Sequence, residues 1–195
     1  MKRRYDSRLR RAGAEEARRR IIGATVHLHA ERGALGTSHV MIAKRAGVSV
    51  PTVYKYFPSR NHLVPACTGS VLRESPVALG ERLFDGLATP SRRVHALALA
   101  VFRLHEYLAP WARWAARDAA ELPALRRFLA DAVTHRRRLI RRALGPAPTR
   151  RLVALAELLL DWPAWRALTT NGETTDQAAA VVADAIIHLS WGGVP

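Results

Sequence analysis

From Ala14 to about Arg32, apolar residues return at intervals of four, three and four: Ala17, Ile21, Ala24 and Leu28. That period lines one face of a helix, and Gly33 can supply its left-handed cap. Upstream, residues 1–13 (MKRRYDSRLRRAG) are arginine-rich and lack a helical period, so they read as a flexible basic arm. A short second helix starts at Thr37 or Ser38, both good N-caps, and runs to Ala46, where Gly47 is free to take positive φ. A third begins at once, with Ser49 as cap, Val50 to Phe57 as its turns and Pro58-Ser59 as its stop. Helices this short do not stand alone in water. Ile42, Ala43, Ala46, Val48, Val53, Phe57 and Leu63 are the apolar residues available to pack them on the first helix.

The remainder reads as longer helices. Ser59 opens one to about Arg73, with Pro65 and Gly69 expected to kink or shorten it. Ser75-Pro76 restarts the chain, and Thr89/Pro90, Pro110 and Pro123 begin stretches ending near Leu108, Glu121 and Leu144. Gly145 stops the last of these before a PAPT linker. Thr149 caps a helix to about Leu168, kinked or split at Pro163, and Thr174 with Gln177 forms a capping box for a final helix ending near Ser190. Nothing alternates like a sheet, and no repeat is visible. Alanine, leucine and arginine dominate while aromatics are only 7%, which agrees with an all-α fold.

Charge narrows the partner. The chain carries +15 with pI ≈ 11.5. Residues 1–64 hold 14 basic and 4 acidic side chains against 17 and 12 in the other 131 residues, so the N-terminal part is the polyanion-binding part. That asymmetry suggests nucleic acid or an anionic membrane surface. The single cysteine, Cys67, cannot form an internal disulfide, and neither a signal peptide nor an apolar run of membrane-spanning length is present. A cytoplasmic protein with no membrane partner is expected.

Residues 37–57, TSHVMIAKRAGVSVPTVYKYF, have the spacing a helix-turn-helix needs. Ala43 is small where two helices nearly touch, Gly47 allows the tight corner, and Val53 anchors the second helix to the core. With Ser49 as cap, the leading end of the third helix can enter a major groove. Over about Ala14 to Leu63 the sequence resembles the TetR-type bacterial transcriptional regulators. The resemblance is carried by the first-helix pattern ending at Gly33, by Thr37-Ser38, Ile42-Ala43, Ala46-Gly47-Val48-Ser49 and Pro51-Thr52-Val53-Tyr54, and by Tyr56-Phe57 and Leu63.

Beside the basic arm at 1–13, longer than the family's minimum, that resemblance implies a three-helix DNA-binding head at 14–58 and a helical ligand-binding and dimerising body at 59–195. It implies a homodimeric repressor that a small molecule releases from a palindromic operator. Residue by residue, Thr37 and Ser38 fall where the family contacts phosphate, and Thr52, Tyr54, Tyr56 and Arg60 where it grips the backbone, all donors suited to phosphate oxygens. Ser49 caps the reading helix. Val50, Pro51 and Lys55 fall where the family faces base edges; Lys55 can donate to guanine, while Val50 and Pro51 offer apolar contact to a thymine methyl. His39, Val40 and Met41 depart from the family pattern and make this face of the second helix unusually apolar.

In the body, Phe84, Phe102, His105, Trp111, Trp114, Phe128 and His135 lie where the family builds its ligand pocket. Broad apolar stripes on the last helices, including Leu152, Leu155, Leu159, Val182, Ile186 and Leu189, are expected at the dimer interface. No catalytic constellation is found: His105-Glu106 does not begin HExxH, Gly33 to Gly36 lacks a P-loop lysine, and no GxSxG occurs. Neither a metal, a cofactor nor an enzyme activity is expected. Two other readings stay open, a basic DNA-packaging protein without sequence preference and a small helical enzyme that retains the head.

Overall fold

A computed structural model of the chain describes residues 2–191. The described residues are helical apart from turns and loops: α1 (Lys2–Arg32), α2 (His39–Ala46), α3 (Val50–Tyr56), α4 (Arg60–Arg73), a 3-10 turn at Glu81–Phe84, α5 (Pro90–Glu121), α6 (Pro123–Leu144), α7 (Arg150–Leu159), α8 (Trp162–Thr170) and α9 (Thr175–Trp191). The expected all-α class holds. Among the described residues no helix is long and apolar enough to cross a membrane.

The chain divides into two compact units, one of residues 1–74 with 110–128, the other of residues 75–109 with 129–195. The boundary expected at 58 therefore lies later, and the N-terminal unit is completed by a downstream segment. The reason is burial. Val64 of α4 is covered together with Ala34, Leu122 and Ala124, so α4 and the α5–α6 junction share a small core with the end of α1.

In the N-terminal unit, α1 packs on α2 and α4, and α2 on α3. Ile21, Ile22, Ala24 and Leu28 of α1 meet Ile42, Ala43 and Ala46 of α2, Val53 of α3, and Phe57 and Leu63, which is the core that the sequence pattern selects. Cys67 on α4 is buried, and burial pushes its thiol pKa up to about 12. Residues 2–13, expected as an arm, are instead the first turns of α1. Arginine and lysine are good helix formers, and a helix already nucleated downstream extends through them without an apolar face.

In the second unit, Val94, Leu97, Ala98, Val101 and Phe102 of α5 pack with Leu139, Ile140 and Ala143 of α6 and with buried residues of α7, α8 and α9. Two expected breaks differ. The chain does not restart as a helix at Ser75-Pro76: Ser75 Oγ instead turns back to the Val77 amide, and Gly86 sits at φ +74°. Nor does Pro110 start a helix. α5 runs through it, with apolar packing before Pro110 and the Trp111 and Trp114 hydrogen bonds after it offsetting one missing hydrogen bond. Pro65 likewise lies inside an unbroken α4. The expected split at Pro163 is present, with Pro163 in the first turn of α8, and the Thr174–Gln177 capping box closes in both directions at 2.9 and 3.2 Å.

The stripes on the last helices turn mainly inward. Val182 and Ile186 are buried in their own unit, so these two are not free for a partner as expected, while Leu152 and Leu159 are half-buried against the same core. Leu155 is half-buried and Leu189 exposed. A stripe records that a face is covered, not by whom. Exposed apolar residues on these helices are Leu158 of α7 and Val181 and Leu189 of α9.

The residues expected to line one pocket are distributed over both units. Phe84 and Phe102 are core residues of the second unit. There His105 lies 6.0 Å from Phe102, edge-on to Trp162 at 5.7 Å, and His135 bonds the Leu79 carbonyl. Phe128 is half-buried in the N-terminal unit, where Trp111 and Trp114 donate their indole N–H groups to the Val26 and Ala30 carbonyls of α1. These two tryptophans hold α1 through their indole N–H groups, and they belong to a different unit from Phe84, Phe102, His105 and His135.

Two histidines are kept neutral by burial: His29 in α1 and His105 in α5 both have pKa values lowered to about 4. The unfolded chain takes up these protons near the ordinary histidine value, so stability falls as pH drops from that value toward the folded one. For His29 alone the loss reaches about 2 kcal/mol near pH 5. Urea midpoints measured between about pH 7 and pH 5 will decline, and H29F will flatten the decline. A flat wild-type profile contradicts the assignment.

Candidate nucleic-acid interface

The interface is built from hydrogen-bond requirements at helix ends. Gly47 adopts the left-handed conformation, φ +63° and ψ 40°, while its N–H reaches the Lys44 carbonyl and the Val48 N–H reaches Ala43 at 3.1 Å. This pair of bonds closes α2 and turns the chain sharply. A β-branched or bulky residue would resist that corner. Ser49 then caps α3, its hydroxyl accepting from the Thr52 amide at 3.3 Å and lying 2.7 Å from the Thr52 hydroxyl. Val53 of α3 is buried and Val50 and Tyr56 pack half-buried against the same core, so the helix is held along one face while Ser49 and Pro51 at its leading end stay exposed.

Around that end, Ser49, Pro51, Tyr54 and Lys55 are exposed, and Val50, Thr52 and Tyr56 are half-buried. The structure brings these seven expected site residues together on one short helix. Arg60, at the start of α4, is exposed and donates its Nε–H to the Thr37 carbonyl at 3.2 Å. Ser38 is half-buried and caps α2 by accepting from the Met41 amide at 3.2 Å. Thr37 is different. It is 1% exposed and donates its hydroxyl to the Gly33 carbonyl at 2.7 Å, so it ties the α1–α2 turn and has no free surface for phosphate.

The sequence departures at 39–41 have a structural meaning. His39 is buried, its ring lies parallel to that of Tyr54 with centroids 4.3 Å apart, and its Nε2 is 2.8 Å from the Phe57 carbonyl at the end of α3. One side chain thus braces both the exposed phenol and the C-terminal end of α3. Sequence reasoning missed this role, since the spacing of 39 and 54 signals nothing by itself. Met41 packs against the core and Val40 projects to solvent at 61% exposure.

The local field is positive. Arg18 lies over the Phe57 ring at 5.7 Å, Lys55 Nζ is 6.0 Å from the Tyr56 ring, and Lys44 is exposed. Arg45 is paired with Glu31 at 2.6 Å, and this hydrogen bond holds the Glu31 carboxyl below its usual range. Hydroxyls, a phenol, an ammonium and guanidinium groups around a convex helix end can engage phosphates and base edges. No metal-binding cluster of three or more His, Cys, Asp or Glu occurs among the described residues.

Comparison with known proteins agrees with this geometry. Residues 21–67 match the family model described as bacterial regulatory proteins, tetR family. The chain is 31% identical over 122 residues to the HTH-type transcriptional regulator BetI of Paraburkholderia phymatum, an alignment covering 60% of this chain and 62% of that one. It is 29% identical to BetI of Paraburkholderia phytofirmans over 91% of this chain and 95% of that one. The crystal structure of SCO7518 from Streptomyces coelicolor A3(2) superposes with a TM-score of 0.64 at 24% identity, covering 90% of this chain and 99% of that one, which extends the shared fold beyond the head. The Gly47 corner, the Ser49 cap and the exposed end of α3 lie inside the segment that matches the tetR-family model, and over nearly its whole length the chain is similar to an HTH-type transcriptional regulator.

Proposed function

We propose that the chain is a homodimeric repressor that reads a palindromic operator in the cytoplasm and releases it when a small molecule occupies the helical body. The observation that carries the reading is the Ser49-capped, outward leading end of α3. In this reading Thr52, Tyr54, Tyr56 and Arg60 hold phosphates and set the register, with Ser38 at the start of α2 as a further contact. Val50, Pro51 and Lys55 meet base edges. One seven-residue helix offers few contacts, and doubling it by a two-fold axis supplies selectivity and avidity.

The exposed Leu158, Val181 and Leu189 support dimerisation through the last helices. The aromatic group of Phe102, His105, Trp162 and Trp165 supports a ligand seat in the second unit, with His105 presented neutral. The buried Arg136 Nε, which has no hydrogen-bond partner within the described residues, supplies a donor in that unit. Occupation of the seat would shift the protein toward a state with lower operator affinity, and a coupling of about 1–3 kcal/mol suffices for roughly 5- to 150-fold.

The deciding experiment is selection of a duplex from a randomised pool, with genomic footprinting of the same protein. A repressor prefers its site over random duplex by at least ~10³, whereas a packaging protein shows a steep salt slope and no preferred sequence. On the selected duplex, K55A will reduce the slope of log affinity against log salt by about 1 or less. H39A will weaken binding about 5-fold, and this loss will shrink in a Y54A background, because His39 acts in part through the Tyr54 ring and in part through the end of α3. Replacing Leu158 and Val181 with glutamate will convert the dimer to monomer in sedimentation and weaken operator binding by on the order of 10²-fold. An unchanged sedimentation coefficient would place the interface elsewhere.

A further inference from the structure

The end of α1 is a helix C-terminus, and its last carbonyls need donors that the helix itself cannot supply. Two of them receive one from a segment more than eighty residues downstream: Trp114 donates to Ala30 at 3.1 Å and Arg117 through Nη2 to Arg32 at 3.0 Å, while Trp111 adds a second donor to the Val26 carbonyl, one turn earlier, at 2.9 Å. The spacing of three residues between these donors follows one face of α5. One turn past the end of α1 the polarity of the backbone reverses, and so does the partner. Asp118, 2% exposed, accepts from the Ala34 amide at 2.5 Å, while Arg117 Nε balances its other oxygen at 2.8 Å. All of these residues belong to the N-terminal unit.

Gly33 permits the approach. It sits at φ +78°, and a Cβ there would meet the Arg117 guanidinium, Asp118 Oδ2 at 2.6 Å and Trp114 Cβ at 3.0 Å. From this turn a continuous set of bonds leads to the DNA-facing surface. The Ala34 carbonyl takes the Thr37 N–H at 3.3 Å, the Thr37 carbonyl takes Arg60, Ser38 caps α2, and His39 at the start of α2 stacks on Tyr54.

We infer that Asp118, supported by Trp111 and Trp114, is a positioning residue for DNA reading: it fixes the α1–α2 turn from which the helix-turn-helix is hung, without touching DNA. The reading unit is then discontinuous in sequence, with residues 111–118 as one of its working parts. The inference goes beyond the repressor reading, since it requires neither an effector nor a dimer.

Electrostatics alone makes the opposite prediction. Removing a carboxylate from a DNA-binding protein should leave affinity unchanged or raise it. The test uses the full-length protein and the duplex that the wild type selects from a randomised pool. D118A should weaken binding about 10-fold, leave the salt slope unchanged, and accelerate hydrogen exchange at the Ala34 amide. D118N, which keeps an acceptor oxygen, should recover part of the affinity. W111F combined with W114F keeps an aromatic ring at each position and removes the indole donors; it should weaken binding several-fold and covers the case in which D118A does not fold. Wild-type or tighter binding by D118A with a loosened Ala34 amide overturns the inference, as does wild-type binding by the double tryptophan variant. A wild-type protein that selects no duplex would instead refute the repressor reading.

Discussion

A helix of seven residues has no stability of its own, so the interface depends on how α3 is anchored: Val53 is inserted among the apolar residues of α1 and α2, with Val50 and Tyr56 packed against the same core. That anchoring leaves Pro51, Tyr54 and Lys55 exposed. The αL corner at Gly47 sets the direction in which the helix leaves α2, and the Ser49 hydroxyl satisfies an amide that would otherwise be spent at the exposed end. Recognition chemistry is thus displayed by a helix that contributes little to the fold, and stability and reading are divided between residues that hardly overlap.

The division accounts for where polar groups are buried. Thr37, His39 and Asp118 lie below the surface, and each bonds backbone at a turn or helix end. Buried polar side chains carry a cost unless paired, and pairing them at chain reversals fixes angles that apolar packing alone would leave loose. The positive charge acts differently. It attracts DNA from a distance and is insensitive to sequence, whereas the geometry of α3 sets which bases can be met.

Much of the head was legible because its signals are local. The Ala43, Gly47, Ser49 and Val53 spacing, the Ser38 and Thr149 caps and the Thr174–Gln177 capping box each involve residues a few positions apart, and each has its expected partner. The failures need information from far along the chain. A hydroxyl at Thr37 suits phosphate and backbone equally, and only the fold brings the Gly33 carbonyl to it. Val182 and Ile186 lie on a stripe that reads the same whether α9 faces its own unit or a twin. Trp111 and Trp114 look like pocket walls until α1 is seen to present carbonyls to them. Pro110 would break an isolated helix, yet α5 is anchored on both sides of it, by apolar packing before and by the Trp111 and Trp114 hydrogen bonds after.

On the proposed reading, DNA is met by the leading end of α3. Amide hydrogen exchange of the full-length protein, with and without its selected duplex, tests it directly. Protection on binding should concentrate at Ser49–Tyr56 and at the Ser38–Met41 start of α2. Protection confined to the arginine-rich first turns of α1, with the α3 amides unchanged, would contradict it.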